Sequence, residues 1–519
     1  MRGVRVSHQR GSECLGGLRA MAEATRSIRF YDSSAIAAQS GLRLEAVPVN
    51  KHGVVFDRGP ASDLAGVSVF AGSVQVLADG RFRMYYYCNA VRGGPRSMRL
   101  AVAESADGYH WERPELGQLT WQGQPTNHLH IKGLPADANL TQPSVVRLPD
   151  GGWRMYVWLH AQERGLIRYL IADSPDGLDW TLLDLNRPAV FHPADLEVGQ
   201  AAWVAGLTAA DPKAKFGDRR TWPFLEAKRI RSNDATNVYY DAERREFEML
   251  SVWLLPNRPE TGRHTPHDNA PQVLRVIHRR TSADGIVFSD PELIIMPDEA
   301  DPPTQQFYYL AQHREADWRI GFLGDYPCWE QTMDIEMCFS REGRRWERPL
   351  RGGFIPRDPV PQPGCMSAYA TNHLLPVADE RWLLLYRAGN QLHNGQMGPG
   401  VTAEPWYGVM GASWPRGRFA GLATAPNLLG RLLLKPFIQT GTEIALNADI
   451  RGWVKAELRD PLGKAIDGYA LQDCQPLRGD GNRLALRWGA AGATSERFRY
   501  DAVQLYLQCS AAVVYGVCI

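Results

Sequence analysis

Apolar and polar positions alternate with a period of two in short runs along most of the chain, which predicts β-strands. Five times an apolar or alternating run is followed by a short turn and then an aromatic-rich run. In order these are 67–76 with Phe82-Arg-Met-Tyr-Tyr-Tyr87, 141–147 with Trp153-Arg-Met-Tyr-Val-Trp158, 236–240 with Phe247-Glu-Met-Leu-Ser-Val-Trp253, 305–310 with Trp318-Arg-Ile-Gly-Phe322, and 366–375 with Trp382-Leu-Leu-Leu-Tyr386. The turns inside them, such as Asp79-Gly80 and Asp150-Gly151-Gly152, carry turn-forming residues.

A second pattern follows four of these units: a serine, Asp-Gly or Glu-Gly two residues on, and an aromatic three residues after the glycine. The copies are Ser105-Ala-Asp107-Gly108-Tyr-His-Trp111, Ser174-Pro-Asp176-Gly177-Leu-Asp-Trp180, Ser282-Ala-Asp284-Gly285-Ile-Val-Phe288 and Ser340-Arg-Glu342-Gly343-Arg-Arg-Trp346. The Asp-Gly step supplies the positive φ of a tight hairpin, and the aromatic returns on the next strand to pack against its neighbour. Five units of about four strands predict an all-β chain with a five-bladed β-propeller over residues 28–420. A β-sandwich or β-solenoid built from the same hairpins is the competing architecture. Residues 185–232 and 256–271 read as long insertions around the third unit. Beyond about residue 421 the rhythm changes to alternating strands split by Asp-Pro and Gly-Asp-Gly turns, which predicts a C-terminal β-sandwich over 421–519. Residues 1–27 are expected to be a poorly ordered extension.

Composition narrows the function classes. Of 519 residues, 58 are Lys or Arg and 57 Asp or Glu, so a net charge of +1 offers no field to draw nucleic acid or an anionic membrane. No run reaches the roughly 18 to 20 apolar residues of a spanning helix, and the N-terminus lacks an apolar signal core. A cytoplasmic protein without nucleic-acid or membrane partners is expected, its oligomeric state open. The eight cysteines form no Cys-x-x-Cys pair, which argues against a zinc site or a disulfide framework. Cys509 and Cys518 lie close enough in sequence to pair.

The stretches Ala103-Glu-Ser-Ala-Asp-Gly-Tyr-His-Trp-Glu-Arg-Pro114, Asn233-Asp-Ala-Thr-Asn-Val-Tyr-Tyr-Asp241, Ser340-Arg-Glu-Gly-Arg-Arg-Trp-Glu-Arg-Pro349 and Gly468-Tyr-Ala-Leu-Gln-Asp-Cys-Gln-Pro476 resemble bacterial proteins related to glycoside hydrolase family 32, within the invertase, levansucrase and arabinanase superfamily of five-bladed propellers. The resemblance runs from residue 28 to the end. It implies glycoside chemistry in a funnel on the propeller axis, with acids carried on the innermost strands. No cofactor is implied, although an axial calcium or sodium ion is compatible with such folds.

Glycoside cleavage needs one carboxyl kept protonated for the leaving oxygen and another kept ionised to attack or to activate water. The family's acid triad is not reproduced: Asp63 is the acid near the first inner strand, Gln142 stands where an aspartate is expected in the second unit, and Asp234 precedes the third inner strand. Asp234 is the leading catalytic candidate, against an Asx-turn opening the strand. Asp63 is a candidate opposing carboxylate, against a solvated loop residue. Asp334 and Glu336 alternate on an apolar strand, where a carboxylate needs a site or an arginine partner. Gln142, Arg387 and His393 are candidates for sugar hydroxyl or carboxylate recognition, and Trp158, Trp203 and Trp329 for stacking, against ordinary packing or solvation. His264, His267 and Asp268 have near metal-like spacing but read as a solvated loop. The leading function is a glycoside hydrolase acting on a small carbohydrate. The alternatives are a carbohydrate-binding propeller without catalysis and an interaction scaffold.

Overall fold

Each aromatic-rich run of the sequence is the second strand of an antiparallel sheet, paired on one side with the apolar run before it. The computed structural model describes residues 26–59, 68–89, 98–121, 123–161, 166–191, 235–256, 268 and 273–519. They divide into two units, Pro48–Arg416 on the one hand and Met1–Val47 with Gly417–Ile519 on the other.

Pro48–Arg416 is the predicted five-bladed propeller. Blade one has Ser68–Val76, Phe82–Asn89 and Met98–Ser105; blade two Leu140–Arg147, Trp153–Ala161, Leu166–Ser174 and Trp180–Leu182; blade three Thr236–Asp241, Glu246–Pro256, Val273–Ser282 and Glu292–Ile295. Blade four has Gln305–Glu315, Trp318–Pro327, Asp334–Ser340 and Glu347–Ile355. Blade five takes Ser367–Val377, Arg381–Gly389 and Tyr407–Pro415 from one end of the unit and its outer strand, Asn50–Phe56, from the other. The ring is therefore closed by hydrogen bonds between segments about 350 residues apart. Blade one departs from the expected four strands: beyond its third strand the described residues show isolated bridges, Ala101 to His128 and Glu104 to Glu112.

The turn motif has one geometry throughout. The serine Oγ accepts the glycine N–H at 2.8 to 2.9 Å in all four copies. In the three aspartate copies Oδ1 accepts the next two backbone N–H groups at 2.8 to 3.0 Å. The glycines have φ between 68° and 85°, where a Cβ is strained. Apolar side chains then fill the seams between blades. Tyr85, Val102, Val145 and Trp180 pack between blades one and two. Tyr156, Trp158, Val238 and Met249 pack between two and three. Phe56, Val74, Leu375 and Leu383 pack between five and one.

A polar layer joins the five inner strands around the axis. Asn372 Nδ2 donates to Ser73 Oγ at 2.8 Å and Oδ1 accepts from Val74 N at 3.1 Å, linking blade five to one. Val145 N donates to Ser73 Oγ at 3.1 Å, and Val238 N to Ser144 Oγ at 2.8 Å. Asn237 Nδ2 donates to Leu310 O at 3.0 Å, and Ala370 N to Tyr309 Oη at 3.0 Å. Buried polar groups are satisfied across blades here, so the register of each inner strand is set by its neighbour.

The second unit is an all-β region built from the C-terminal strands expected of it together with a segment from the N-terminal side. Its strands hydrogen-bond into one nine-stranded sheet, and the N-terminal segment belongs to it: Ile36–Ser40 pairs with Gly430–Leu434 and Leu42–Ala46 with Ala420–Thr424. The long strand Ala502–Cys518 runs beside Ala445–Arg459. Leu446, Val454, Trp488 and Leu507 lie in its core. An alternating pattern fixes which face a side chain takes but not which strand sits beside it, so residues 26–47 read equally well as a prelude to blade one. Cys509 and Cys518 are both free thiols rather than a pair. The expected N-terminal extension lies, up to residue 25, outside the described residues, as does most of both long insertions.

Candidate functional site

Four of the five inner strands carry β-bulges. Strand register shifts between Ala71 and Ser73, Thr141 and Ser144, Phe307 and Leu310, and Ala370 and Leu374. A bulge inserts a residue and re-aims the side chains beside it, and here it turns them toward the axis. Gly72, Gln142, Pro143, Tyr308 and Tyr309 are the bulge residues of blades one, two and four, and all line one cavity of about 370 Å3. A Cβ on Gly72 would come within 2.8 Å of the Pro143 ring, so glycine is needed where the first two inner strands meet. Gln142 has φ of 51° and Ala235, one residue before the blade-three inner strand, 48°. Gln142 Oε1 accepts the Ala235 N–H, which ties blade two to blade three beneath the cavity and commits half of the amide.

Ala235, Thr236, Asn237, Ser367, Tyr369, Ala370, Arg387, Gln391, His393, Tyr407 and Tyr87 complete the described lining. Five tyrosines, three amides, one guanidinium and one imidazole thus face a space within the usual range for a small-molecule site. Arg387 sits over two of the rings, its guanidinium carbon 4.6 Å from the Tyr369 centroid and 4.0 Å from that of Tyr407. His393 Nδ1 is 3.1 Å from the Tyr369 hydroxyl. The imidazole meets Tyr308 and Tyr326 edge to face, at 4.7 and 4.9 Å between centroids. Burial first, and then the charges of Arg275 and Arg387, push its pKa down to about 3. His393 is therefore neutral at any physiological pH.

Behind this wall lies a buried ion pair. Arg275 Nη1 and Nη2 donate to Asp268 at 2.6 and 3.1 Å, Gln306 Oε1 accepts from Arg275 Nη1 at 2.8 Å, and Tyr326 Oη donates to Asp268 Oδ1 at 3.2 Å. Asp268 is thus a core residue, where the sequence suggested a solvated loop. Among the described residues no group of three or more His, Cys, Asp or Glu is placed to hold a metal ion.

The expected site residues separate into three sets. Gln142, Arg387 and His393 come together in the cavity. Asp334 and Glu336 are not among its described lining and are held in ion pairs. Glu336 takes Arg348 Nε and Nη2 at 2.6 and 3.0 Å and is buried, while Asp334 takes Arg357 Nε at 2.8 Å. Trp158, expected to face ligand, is fully buried in the seam between blades two and three, 4.8 Å from the Tyr169 ring. A strand residue with neighbours on both faces packs inward whichever way it points, which is why its aromatic character misled. Trp329 is 54% exposed. Asp234, Asp63, Trp203, His264 and His267 lie outside the described residues.

Sequence reasoning missed the tyrosines, which read as packing residues, and Asp325. Asp325 stands opposite Asp334 on the neighbouring strand and accepts a hydrogen bond from Gln305 Nε2. Burial, and then the nearby Glu336 and Asp334, push its pKa up to about 7. The aromatic doublet Tyr308-Tyr309 inside a predicted inner strand was the available signal, since successive side chains of a regular strand point to opposite faces of the sheet and two adjacent rings cannot pack on the same one.

No protein-family model matches the chain, and no curated protein does. Solved structures with a similar course of chain include an N-acetylgalactosamine deacetylase from F. plautii in complex with blood group B trisaccharide, at 15% identity and TM-score 0.43, covering 72% of this chain and 96% of that one. Another is a glycoside hydrolase at 14% identity and TM-score 0.45, covering 72% and 93%. A glycosyl hydrolase from Bacteroides ovatus aligns at 13% identity and TM-score 0.41, covering 72% and 95%. At such identities and scores these likenesses carry no assignment of activity to this chain.

Proposed function

We propose that this protein is a carbohydrate-active enzyme of the glycosidase type, which takes a small oligosaccharide or glycoside into the axial cavity and cleaves its glycosidic bond. The observation that carries the reading is the lining itself. Tyrosine faces suit the apolar faces of sugar rings, and amides, hydroxyls and one guanidinium around them suit sugar hydroxyls, in a pre-formed concavity of about 370 Å3. The resemblance to the family 32 superfamily belongs to the same reading.

Asp234 is the acid we assign to catalysis. It adjoins Ala235, Thr236 and Asn237, which all line the cavity, and Asp63 is the proposed opposing carboxylate. Asp334 and Glu336 are left out, because a carboxylate committed to an arginine is poorly suited to donate or accept a proton. The free thiols of the described cysteines fit the cytoplasmic setting expected of the chain. The test is release of reducing ends from a panel of oligosaccharides and aryl glycosides. Wild-type protein is expected to turn over at least one member, and Asp234→Asn to lose at least about a hundredfold in rate. Full activity in Asp234→Asn would remove the assignment.

A second reading has its own observation. Among the described lining residues there is no carboxylate, which favours sugar binding without cleavage. Saturable binding of a glycan that is never cleaved, with Asp234→Asn binding as tightly, is the outcome that selects it.

A further inference from the structure

Tyr369 holds two groups on one wall of the cavity: Arg387 lies over its ring face and His393 meets its hydroxyl. Two buried polar atoms of the same lining, His393 Nε2 and Ser367 Oγ, have no hydrogen-bond partner. A buried polar group left in that state is costly, and a ligand hydroxyl is the complement both atoms can use. Ser367 both donates and accepts, and a neutral imidazole does one or the other according to its tautomer.

Charge points further. Arg387 is the formal cation of the described lining, which contains no carboxylate. Flanked by the Tyr369 and Tyr407 rings, its guanidinium is oriented and partly screened from water, and a carboxylate docks on such a planar fork in bidentate fashion. Its five N–H donors leave room for a ligand beside the bonds it already makes. The other basic groups near this wall add no competing charge: His393 is neutral, and Arg275 is neutralised by Asp268 at 2.6 Å.

We propose that the axial cavity selects an acidic sugar, one bearing a carboxylate that docks on Arg387 while its hydroxyls meet His393 Nε2 and Ser367 Oγ. This rests on the carbohydrate reading of the same cavity and narrows its substrate class. A uronate and a sialate present the same chemistry to the guanidinium.

The test is calorimetric titration of the full chain with matched pairs of oligosaccharides, uronate-terminated against the corresponding neutral hexose and sialylated against asialo. The acidic member of at least one pair is expected to bind about tenfold tighter or more, and whichever pair shows the preference identifies the source of the carboxylate. Raising salt from about 50 mM to about 500 mM should shrink that preference, because ions screen the contact. Arg387→Met should bind both members of the pair equally. His393→Gln should weaken both members in parallel and leave their ratio unchanged, since it removes a hydroxyl contact and not the charge. Equal wild-type affinity for acidic and neutral members overturns the inference and leaves the carbohydrate reading standing. Binding of neither kind overturns both. A preference that survives in folded Arg387→Met removes Arg387 as the carboxylate site, and if that variant does not fold, the salt series on the wild type decides.

Discussion

Asp325 has a shifted pKa that bears on stability near neutral pH. Its carboxyl is raised to about 7 by burial and by Glu336 and Asp334, so between about pH 4 and pH 7 the folded chain holds a proton that the unfolded chain has released. Stability from this group is therefore present at the acid end of the window and lost as pH rises through it. The aspartates of the turn motif, Asp107, Asp176 and Asp284, have lowered pKa values through burial opposed by stronger hydrogen bonds, and their contribution disappears only below about pH 4. Asp325→Asn keeps an acceptor for Gln305 and cannot ionise. Thermal melts across pH 4 to 8 are expected to show the wild type losing more stability than Asp325→Asn, and the variant the more stable at pH 8. Parallel curves would mean that the folded carboxyl is ionised throughout. Nothing along the chain marks Asp325, because its environment comes from Asp334 on the next strand and Gln305 on the previous one. Arg387 and His393, by contrast, were visible as polar residues following the aromatic run 382–386.

Between elements, the second strand of one blade holds the turn of the next. Arg83 Nη1 donates to Asp176 O at 3.1 Å and Tyr85 Oη to Gly177 O at 2.9 Å; Arg154 Nη1 and Tyr156 Oη repeat this on Asp284 O and Gly285 O at 2.6 and 2.7 Å. The shared Arg-Met-Tyr of blades one and two is thus a docking sequence. A Cβ on Gly177 would fall 2.6 Å from Tyr85 Oη, at a φ of 77°. Gly177→Ala is accordingly expected to lower stability by about 2 kcal/mol or more, against about 1 kcal/mol for Tyr85→Phe, which loses one hydrogen bond. Denaturant unfolding of the two variants measures both. A Gly177→Ala protein as stable as wild type would show that the turn can relax without its glycine. The hairpins were readable because Ser, Asp and Gly act within four residues. The bulges were not, since an inserted residue shifts the alternation by one position in runs too short to tell that shift from ordinary irregularity.

In the whole ring, Asn50–Phe56 supplies the closure of blade five, and Phe56 anchors it. That side chain is 3% exposed, meets Tyr86 of blade one edge to face at 5.0 Å and carries Arg113 at 4.0 Å over its ring. Phe56→Ala is expected to cost about 3–5 kcal/mol. Hydrogen exchange should speed up first along Tyr407–Pro415, whose outer partner is then loosened. Uniform exchange with an unchanged melting point would show that closure does not depend on this anchor.

Alternation, turn chemistry and the repeat of both were enough to identify an all-β chain with five blades, because those signals act over a few residues and recur. Which strand closes the ring, that residues 26–47 join the C-terminal sheet, and which side chains meet on the axis were settled by contacts between segments far apart in the chain. Gln142, Asn237, Tyr309 and Arg387 come from four different blades. They share a cavity because bulges re-aim the inner strands of blades two and four, the second strand of blade five carries Arg387 beside them, and cross-blade hydrogen bonds hold the inner strands in register, and none of these leaves a periodic trace in the order of residues.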